Sequence, residues 1–178
     1  MTFMNEIDLM NATAYNERGA AYSGLKQYEE ALADLSQAIS LDPSLADAYN
    51  NRGFVYNKLK EYEKALADYS QAITFAPNFA PAYNNRGAAY SILKEYEKAI
   101  VDYSQAITLD PNYTLAYNNR GEAYNKLRQY PEAIADCTTA ITLAPNAARP
   151  YYHRGIAYEK LGQKQQAKAD WKKACQFG

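Results

Sequence analysis

Paired asparagines are a polar feature that recurs three times in the chain, at intervals of 34 residues. Each pair directly precedes an arginine. The pairs are Asn50–Asn51, Asn84–Asn85 and Asn118–Asn119. A carboxamide presents a donor and an acceptor together, so a row of them can hydrogen-bond a peptide backbone whatever the side chains of that peptide are. The alternative is that these amides hydrogen-bond between neighbouring helices. The residue pattern leaves both interpretations open.

A second recurring feature pairs these three arginines, and two more at the same repeat position, with an aspartate sixteen residues later. The pairs are Arg18–Asp34, Arg52–Asp68, Arg86–Asp102, Arg120–Asp136 and Arg154–Asp170. We predict a charge-assisted hydrogen bond in each pair, either between the paired helices of one repeat or between adjacent repeats. A ladder of arginines that binds phosphates or carboxylates is disfavoured, because an acid accompanies every base. The pairs should fix how the helices align with each other more than they add net stability, since removing two charges from water costs about as much free energy as their attraction returns.

Few other residues carry reactive chemistry. His153 is the only histidine, so a zinc site built from several histidines cannot be assembled, and we interpret this lone groove histidine as a hydrogen-bonding surface residue and not as a catalyst. Cys137 and Cys175 are interpreted as small apolar packing residues with free thiols, which favours a cytoplasmic location. The sequence shows no phosphate-binding loop and no distinctive pair of carboxylates. We therefore expect no enzyme activity, no metal and no cofactor.

The elements that position these residues recur every 34 residues. A glycine directly follows each of the five paired arginines, at Gly19, Gly53, Gly87, Gly121 and Gly155. Of the 18 tyrosines, all but Tyr113 and Tyr152 stand at positions that recur with this period. The chain divides into a leader, 1–11, which either extends the first helix or frays, and five units. The units are 12–45, 46–79, 80–113, 114–147 and 148–178.

Each unit contains two stretches with helical spacing. In the second unit, Tyr49, Gly53 and Tyr56 fall on one face of a helix, and Ala65 and Tyr69 fall on one face of the next. A glycine inside a helix costs about 1 kcal/mol relative to alanine. Its recurrence predicts that a neighbouring helix passes too closely for a Cβ atom. No window shows the alternation of a strand, so the predicted fold is all-α.

The boundaries of the units carry turn signals. Prolines close the first four units, and an asparagine directly follows three of them. These asparagines, Asn78, Asn112 and Asn146, are predicted to cap the next helix. In the last unit, Lys164 and Lys168 replace the tyrosine and the aliphatic residue of the earlier units. We expect 148–178 to act as a polar cap that ends the array.

These residues resemble the tetratricopeptide repeat, whose aromatic, Gly, Tyr, Ala and Pro positions match over 12–178. Tyrosine stands in place of the family's usual tryptophan, and arginine in place of leucine before the glycine. The resemblance implies a right-handed superhelical solenoid of five tandem helix-turn-helix repeats. It also implies that the first helices line a concave groove that binds a peptide or a segment of a partner protein.

The family's layout identifies the groove residues. They are Asn16, Asn50, Asn51, Asn57, Asn84, Asn85, Asn118, Asn119, Asn125, Lys126, Arg149, Tyr152 and His153. One subclass of the family binds the C-terminal carboxylate of heat-shock chaperones through Lys, Asn and Arg at fixed positions. Asn119, Arg149 and His153 could fit that clamp. However, Asn84 stands where Lys is needed and Ala88 where Asn is needed, so the clamp is incomplete.

Charge is balanced in sum and uneven along the chain. With 19 basic and 20 acidic side chains the net charge is −1, so nucleic acid is a disfavoured partner. Residues 1–45 carry two basic and seven acidic side chains, whereas residues 148–178 carry seven basic and two acidic ones. Two alternatives to a peptide-binding module follow: head-to-tail self-assembly, and RNA binding by the basic end. No stretch reaches the roughly 20 apolar residues of a membrane span.

Overall fold

The structure, a computed structural model, describes residues 6–178, which form ten α-helices and no strand. The helices are α1 (Glu6–Gly24), α2 (Tyr28–Leu41), α3 (Ala46–Lys58), α4 (Tyr62–Phe75), α5 (Ala80–Ile92), α6 (Tyr96–Leu109), α7 (Thr114–Lys126), α8 (Tyr130–Leu143), α9 (Ala148–Lys160) and α10 (Lys164–Phe177). The helices follow one another along the chain in five pairs, and we call each pair a hairpin. The two helices pack together in α1–α2, α3–α4, α7–α8 and α9–α10, and the all-α prediction is confirmed. The chain also divides into two compact units that are larger than the sequence repeats: from here on, the first unit is the part that ends at Ala89, and the second unit is Tyr90–Gly178.

The predicted leader lies partly outside the described residues. From Glu6 onwards it is helical and continuous with α1. The hairpins that follow use helices of 13 and 14 residues joined by short turns. Each helix is too short to be stable alone in water, so its stability must come from packing against its neighbours.

The two helices of a hairpin approach most closely at the recurring glycine. A Cβ atom added to Gly53 would lie 2.9 Å from Cε1 of Tyr69 and 3.2 Å from the carbonyl oxygen of Ala65. At Gly121 it would lie 2.8 Å from the Sγ atom of Cys137. These distances are shorter than a carbon normally tolerates. The predicted close approach is therefore confirmed at these glycines.

Arginine joins the helices of a hairpin to each other and to the hairpin before. Nε and Nη2 of Arg52 donate to the two carboxylate oxygens of Asp68, at 2.8 and 2.9 Å. Nη1 of Arg52 donates to Oγ of Ser36 in the preceding hairpin, at 3.3 Å. The same bidentate pair of hydrogen bonds occurs in Arg18–Asp34, Arg120–Asp136 and Arg154–Asp170. The predicted pairing is confirmed for these four; Arg86 and Asp102 belong to different units, and their pairing stays a prediction.

Tyrosine fills the space between successive hairpins. In the first unit, the fully buried Tyr69 packs with Ala65 and Ala89. In the second unit, Tyr103 occupies the equivalent place, and its hydroxyl lies 3.2 Å from Oγ of Ser91. Burial raises the pKa of the Tyr103 phenol to about 12. The recurrence of tyrosine is therefore a packing feature of the fold.

Two sequence predictions were wrong. The residues that precede α7 and α9 are Tyr113 and Ala147, and neither side chain makes a capping hydrogen bond. Asn112 instead lies inside the turn, where its N–H donates to Oδ1 of Asp110 at 2.9 Å, so the helix begins later than the asparagine suggests. Cys137 is buried as predicted, but Cys175 is exposed, because no described helix covers its face of α10.

Candidate functional site

The predicted groove residues lie on the first helix of each hairpin. In the first unit, two pairs of asparagines connect these helices. Nδ2 of Asn51 donates to Oδ1 of Asn16 at 2.9 Å, and Nδ2 of Asn85 donates to Oδ1 of Asn50 at 3.0 Å. We call this arrangement the asparagine ladder. In each rung, the second asparagine of one hairpin bonds the first asparagine of the hairpin before.

The ladder explains why asparagine recurs in the middle of a helix. Asn50 and Asn84 are 8% and 2% exposed, so the first asparagine of each pair is a buried residue. A buried carboxamide needs partners inside the protein, and for Asn50 the rung from Asn85 supplies one. Asn51 and Asn85 are only half-buried. In this unit, the second asparagines are therefore more accessible to a ligand than the first.

An open cavity of about 340 Å³ lies beside the ladder in the first unit, and we call it the ladder cavity. It is lined by Ala20, Ser23, Gly24, Asn50, Asn51, Phe54 and Asn85. Phe54 is 38% exposed, and the ammonium of Lys58 lies 4.8 Å from the centre of its ring. The cavity thus combines amide groups with an exposed aromatic ring.

Sequence analysis did not identify Phe54 as a groove residue. The signal was present, because Phe54 lies one helical turn after Asn50 and therefore on the same face of α3. Alanine stands at the corresponding position of the neighbouring hairpins, at Ala20 and Ala88. Small residues on either side leave an aromatic ring accessible.

The regular sequence of rungs changes in the second unit. His153 occupies the position where Asn51, Asn85 and Asn119 stand in the preceding hairpins. Asn118 is 4% exposed, and its Oδ1 atom is buried without a hydrogen-bond partner. Its Nδ2 atom makes one long bond, of 3.3 Å, to Oδ1 of Asn119. The acceptor that would complete a rung is present, but the donor is missing.

His153 lies in a mixed electrostatic environment. Its side chain is 12% exposed, and Nε2 lies 3.6 Å from Oε2 of Glu122. Burial lowers the pKa of His153; Glu122 opposes this effect, whereas the positive charges of Lys126 and Arg149 reinforce it. The ring of Tyr152 meets the imidazole edge to face, with the centres 5.4 Å apart. At neutral pH the imidazole is therefore uncharged.

A cavity of about 270 Å³ lies next to Asn118, between α7 and the start of α9. We call it the Asn118 cavity. It is lined by Thr114, Leu115, Asn118, Ala147, Ala148, Arg149 and Pro150. Apart from Asn118, Thr114 and Arg149, these side chains are apolar, and Leu115 is 43% exposed. Among the described side chains, residues 8–178, no ion pair to Arg149 is found.

The remaining predicted residues occupy the ends of the first helices. Nδ2 of Asn125 donates to the backbone oxygen of His153 at 2.8 Å, which ties α7 to α9. Asn57 and Asn125 each have a buried Oδ1 atom without a partner. Lys126 is exposed, and Tyr152 is 52% exposed. In the second unit, Arg149 lines the same cavity as Asn118, and the charges of Lys126 and Arg149 both act on His153.

A third cavity, the end cavity, has a volume of about 460 Å³ and an almost entirely apolar surface. It is lined by Ala148, Arg149, Tyr152, Trp171, Ala174 and Cys175. Within the described chain, no cluster of three His, Cys, Asp or Glu side chains could hold a metal ion. No helix between Glu6 and Phe177 is long and apolar enough to cross a membrane.

Sequence comparison matches most of the chain to one family. The family model described as tetratricopeptide repeat matches residues 46–79, 80–113 and 114–147. A model described as TPR repeat matches residues 25–60, and a further tetratricopeptide repeat model matches residues 148–177. Comparison with curated protein sequences found no match.

Solved structures with this fold are similar over nearly the whole chain. A structure of PilF from Pseudomonas aeruginosa is 23% identical, with a TM-score of 0.89 over 97% of this chain and 79% of that one. MamA from Desulfovibrio magneticus RS-1, in a structure of residues 41 to the end, is 20% identical, with a TM-score of 0.83 over 98% and 96%. YrrB, described as a TPR protein with an unusual peptide-binding site, is 23% identical, with a TM-score of 0.74 over 92% and 84%. At these identities the likeness shows the fold alone.

Proposed function

Because this chain belongs to the tetratricopeptide repeat family, we propose that it is a protein-interaction module that binds an extended segment of a partner protein at the ladder cavity. An extended segment presents unpaired backbone N–H and C=O groups, and the half-buried amides of Asn51 and Asn85 can bond both kinds of group. These contacts are independent of the partner's side chains. They would fix the orientation of the bound segment but would select little between segments of different sequence.

The exposed ring of Phe54 is the observation that carries the proposal. A large aromatic side chain beside polar groups in a concave surface is the usual anchor of a binding site, because covering it removes apolar area from water. The volume of about 340 Å³ admits one or two side chains of a partner, but no folded domain. The peptide-binding site named for the similar structure of YrrB agrees with this use of the fold.

The test uses Phe54 and not the buried asparagines. Replacing Asn50 by alanine would remove an acceptor on which the ladder depends, so lost binding could reflect altered packing. Phe54→Ser removes an exposed ring and leaves the ladder intact. The matched control is Val101→Ser on α6, which removes an apolar side chain that is 68% exposed and lines none of the three cavities.

The experiment selects peptides from a displayed library on the purified chain and measures their affinity by fluorescence anisotropy. We expect Phe54→Ser to weaken binding at least tenfold, because buried aromatic anchors dominate such interfaces. Val101→Ser should leave the affinity unchanged. The proposal would be contradicted if wild type and Phe54→Ser bound the peptides with equal affinity, or if the library yielded no binding peptide.

Self-assembly is the second candidate, and the end cavity favours it. Its apolar wall includes Trp171 and Cys175, Arg149 also lines it, and all of its lining residues belong to the basic segment 148–178. On α1, Met10 and Ala21 are exposed, within the acidic first 45 residues. A second copy could therefore pack its α1 against the end cavity, with opposite charges facing each other.

Two lysines weigh against this arrangement. Lys168 and Lys172 stand where the preceding second helices carry an aliphatic residue and a serine or threonine. A copy stacked as the next hairpin would bury Lys168 and bring Lys172 towards Arg18, which is unfavourable. Sedimentation velocity at low and high salt decides between the two candidates. A salt-sensitive oligomer supports self-assembly, whereas a monomer at every salt concentration excludes it.

A further inference from the structure

The asparagine ladder lacks one donor. In the first unit, the Oδ1 atom of Asn50 accepts from Asn85 of the next hairpin. In the second unit, the equivalent atom of Asn118 has no partner, because His153 stands where the donor asparagine would be. Buried acceptors of this kind nearly always have a partner, so one without a partner in a native fold requires an explanation.

The amide of Asn118 is also held weakly. Its single bond, from Nδ2 to Asn119, is 3.3 Å long, and the terminal torsion of an asparagine turns easily. The side chain lines the Asn118 cavity, so a small rotation can present its oxygen to an occupant. The histidine gives no equivalent bond, since its Nε2 lies near Glu122.

The other walls of the Asn118 cavity indicate what that occupant contains. Leu115 is 43% exposed, and Pro150 and Ala148 continue the apolar surface. Arg149 lines the same cavity without an acidic partner among the described residues, and its positive charge acts on His153 together with that of Lys126. An occupant that satisfies all of these groups carries an N–H donor, an aliphatic side chain and a carboxylate.

We propose that the Asn118 cavity is a selectivity subsite for an acidic, extended peptide segment. A backbone N–H of the segment donates to Oδ1 of Asn118 and replaces the missing rung. A neighbouring Val, Leu or Ile side chain packs against Leu115 and Pro150, and an Asp or Glu side chain pairs with Arg149. This inference rests on the proposed function, because it concerns the same class of ligand, but it assigns selectivity to residues outside the ladder cavity.

The first experiment measures selectivity with a positional-scanning library of octapeptides that are acetylated at one end and amidated at the other. Wild type should prefer Asp or Glu within two residues of an aliphatic side chain. Arg149→Glu should reduce the affinity of the best peptide about tenfold and shift the preference to Lys or Arg, since a rim charge chiefly sets selectivity. Arg128→Glu, an equal charge change outside the cavity, is the control. An unchanged preference in Arg149→Glu would overturn the proposal.

The second experiment restores the missing rung. His153→Asn supplies the donor that Asn51 and Asn85 supply in the first unit, so it should raise the urea midpoint of unfolding. It should also weaken the best peptide about fivefold, because the peptide N–H loses its acceptor. A gain in stability with unchanged affinity would show that Asn118 has only a structural role.

The outcomes separate the two proposals. If wild type selects peptides and Phe54→Ser abolishes binding while both second-unit variants bind normally, the subsite is wrong and the proposed function stands. If wild type selects no peptide, both are wrong. Selection only from a library with free carboxyl termini would identify a terminal carboxylate as the ligand, and it would overturn the assignment to an internal segment.

Discussion

Arg120 holds both carboxylate oxygens of Asp136, with Nε to Oδ2 at 2.7 Å and Nη2 to Oδ1 at 2.8 Å. Its third nitrogen donates to Oγ of Ser104 at 2.9 Å. One side chain therefore links three helices, α6, α7 and α8. Burial lowers the pKa of Arg120, but the hydrogen bonds that Arg120 donates to Asp136 and the attraction of the Asp136 charge together outweigh burial, so the pKa of Arg120 is raised.

Replacing Arg120 by leucine should destabilise the fold by about 2–3 kcal/mol, because Asp136 would remain almost buried without a counter-charge. Leucine is the residue that the family usually carries there. The double variant Arg120→Leu with Asp136→Ala should recover most of the loss, since no unpaired charge remains. Urea unfolding followed by circular dichroism measures both.

The matched control for this prediction is Arg18→Leu. The Arg18 side chain makes the same bidentate hydrogen bonds, to Asp34, but it is 57% exposed, so water screens the two charges. Its loss should lower the urea midpoint much less than the loss of Arg120. Equal effects of the two substitutions would contradict the assignment of the cost to burial.

Two glycines should respond to alanine in opposite directions. Gly53→Ala places a Cβ atom 2.9 Å from the ring of Tyr69, which is fully buried and cannot move aside. We expect a net loss of at least about 1 kcal/mol in spite of alanine's better helix propensity. Gly24 has no atom within 4 Å of the added Cβ, so Gly24→Ala should be neutral or stabilising. Thermal unfolding of both variants tests the contrast; stabilisation by Gly53→Ala would show that the helices do not approach closely.

The two thiols should differ sharply in reactivity. Burial raises the pKa of Cys137 to about 12, so the folded protein contains almost no thiolate at this position at pH 8. Cys175 is exposed on α10. Ellman's reagent should therefore modify one thiol per chain rapidly and the second only after unfolding in urea. Cys175→Ser should abolish the rapid phase, and two rapid equivalents in wild type would disprove the burial of Cys137.

His153 should make stability depend on pH below neutrality. Because burial lowers its pKa below the ordinary 6.5, the unfolded chain binds a proton more readily than the folded chain. The free energy of unfolding should therefore fall as the pH decreases from 6.5 towards the folded pKa, by at most about 1.4 kcal/mol per pH unit. His153→Asn should remove this contribution.

Nuclear magnetic resonance titration of the imidazole measures that pKa directly. Glu122→Gln removes the charge that opposes the shift, so it should lower the pKa of His153 further. A measured value at or above 6.5 in wild type would show that Glu122, and not burial, dominates the environment of the histidine.

Much of the fold could be predicted from residue spacing, because the relevant interactions lie within one hairpin. The spacing of Arg52 and Asp68 places their side chains together once two short helices fold against each other, and the structure confirms that pair. The mid-helix Gly53 likewise required a close neighbour. The capping prediction failed at Asn112, because the sequence does not show how many residues the turn uses before the helix begins.

The candidate site was predicted less completely. The asparagine pairs were identified, but the sequence could not show that Asn50 would bond Asn85, nor that Asn118 would have no such partner. Each of these outcomes depends on a residue in the next hairpin. Phe54 was missed because its accessibility depends on the small residues beside it.

The sequence by itself determined the 34-residue period, the pairing of helices into hairpins and the positions of glycine, arginine and tyrosine. All of these follow from the 3.6-residue period of a helix and from side-chain size. Only the tertiary structure decided which polar and apolar groups have partners: it left Cys175 and Phe54 accessible and the oxygen of Asn118 unbonded. Whether a group is satisfied depends on which helix packs over it, and that neighbour is chosen by the stacking of hairpins and not by the local sequence.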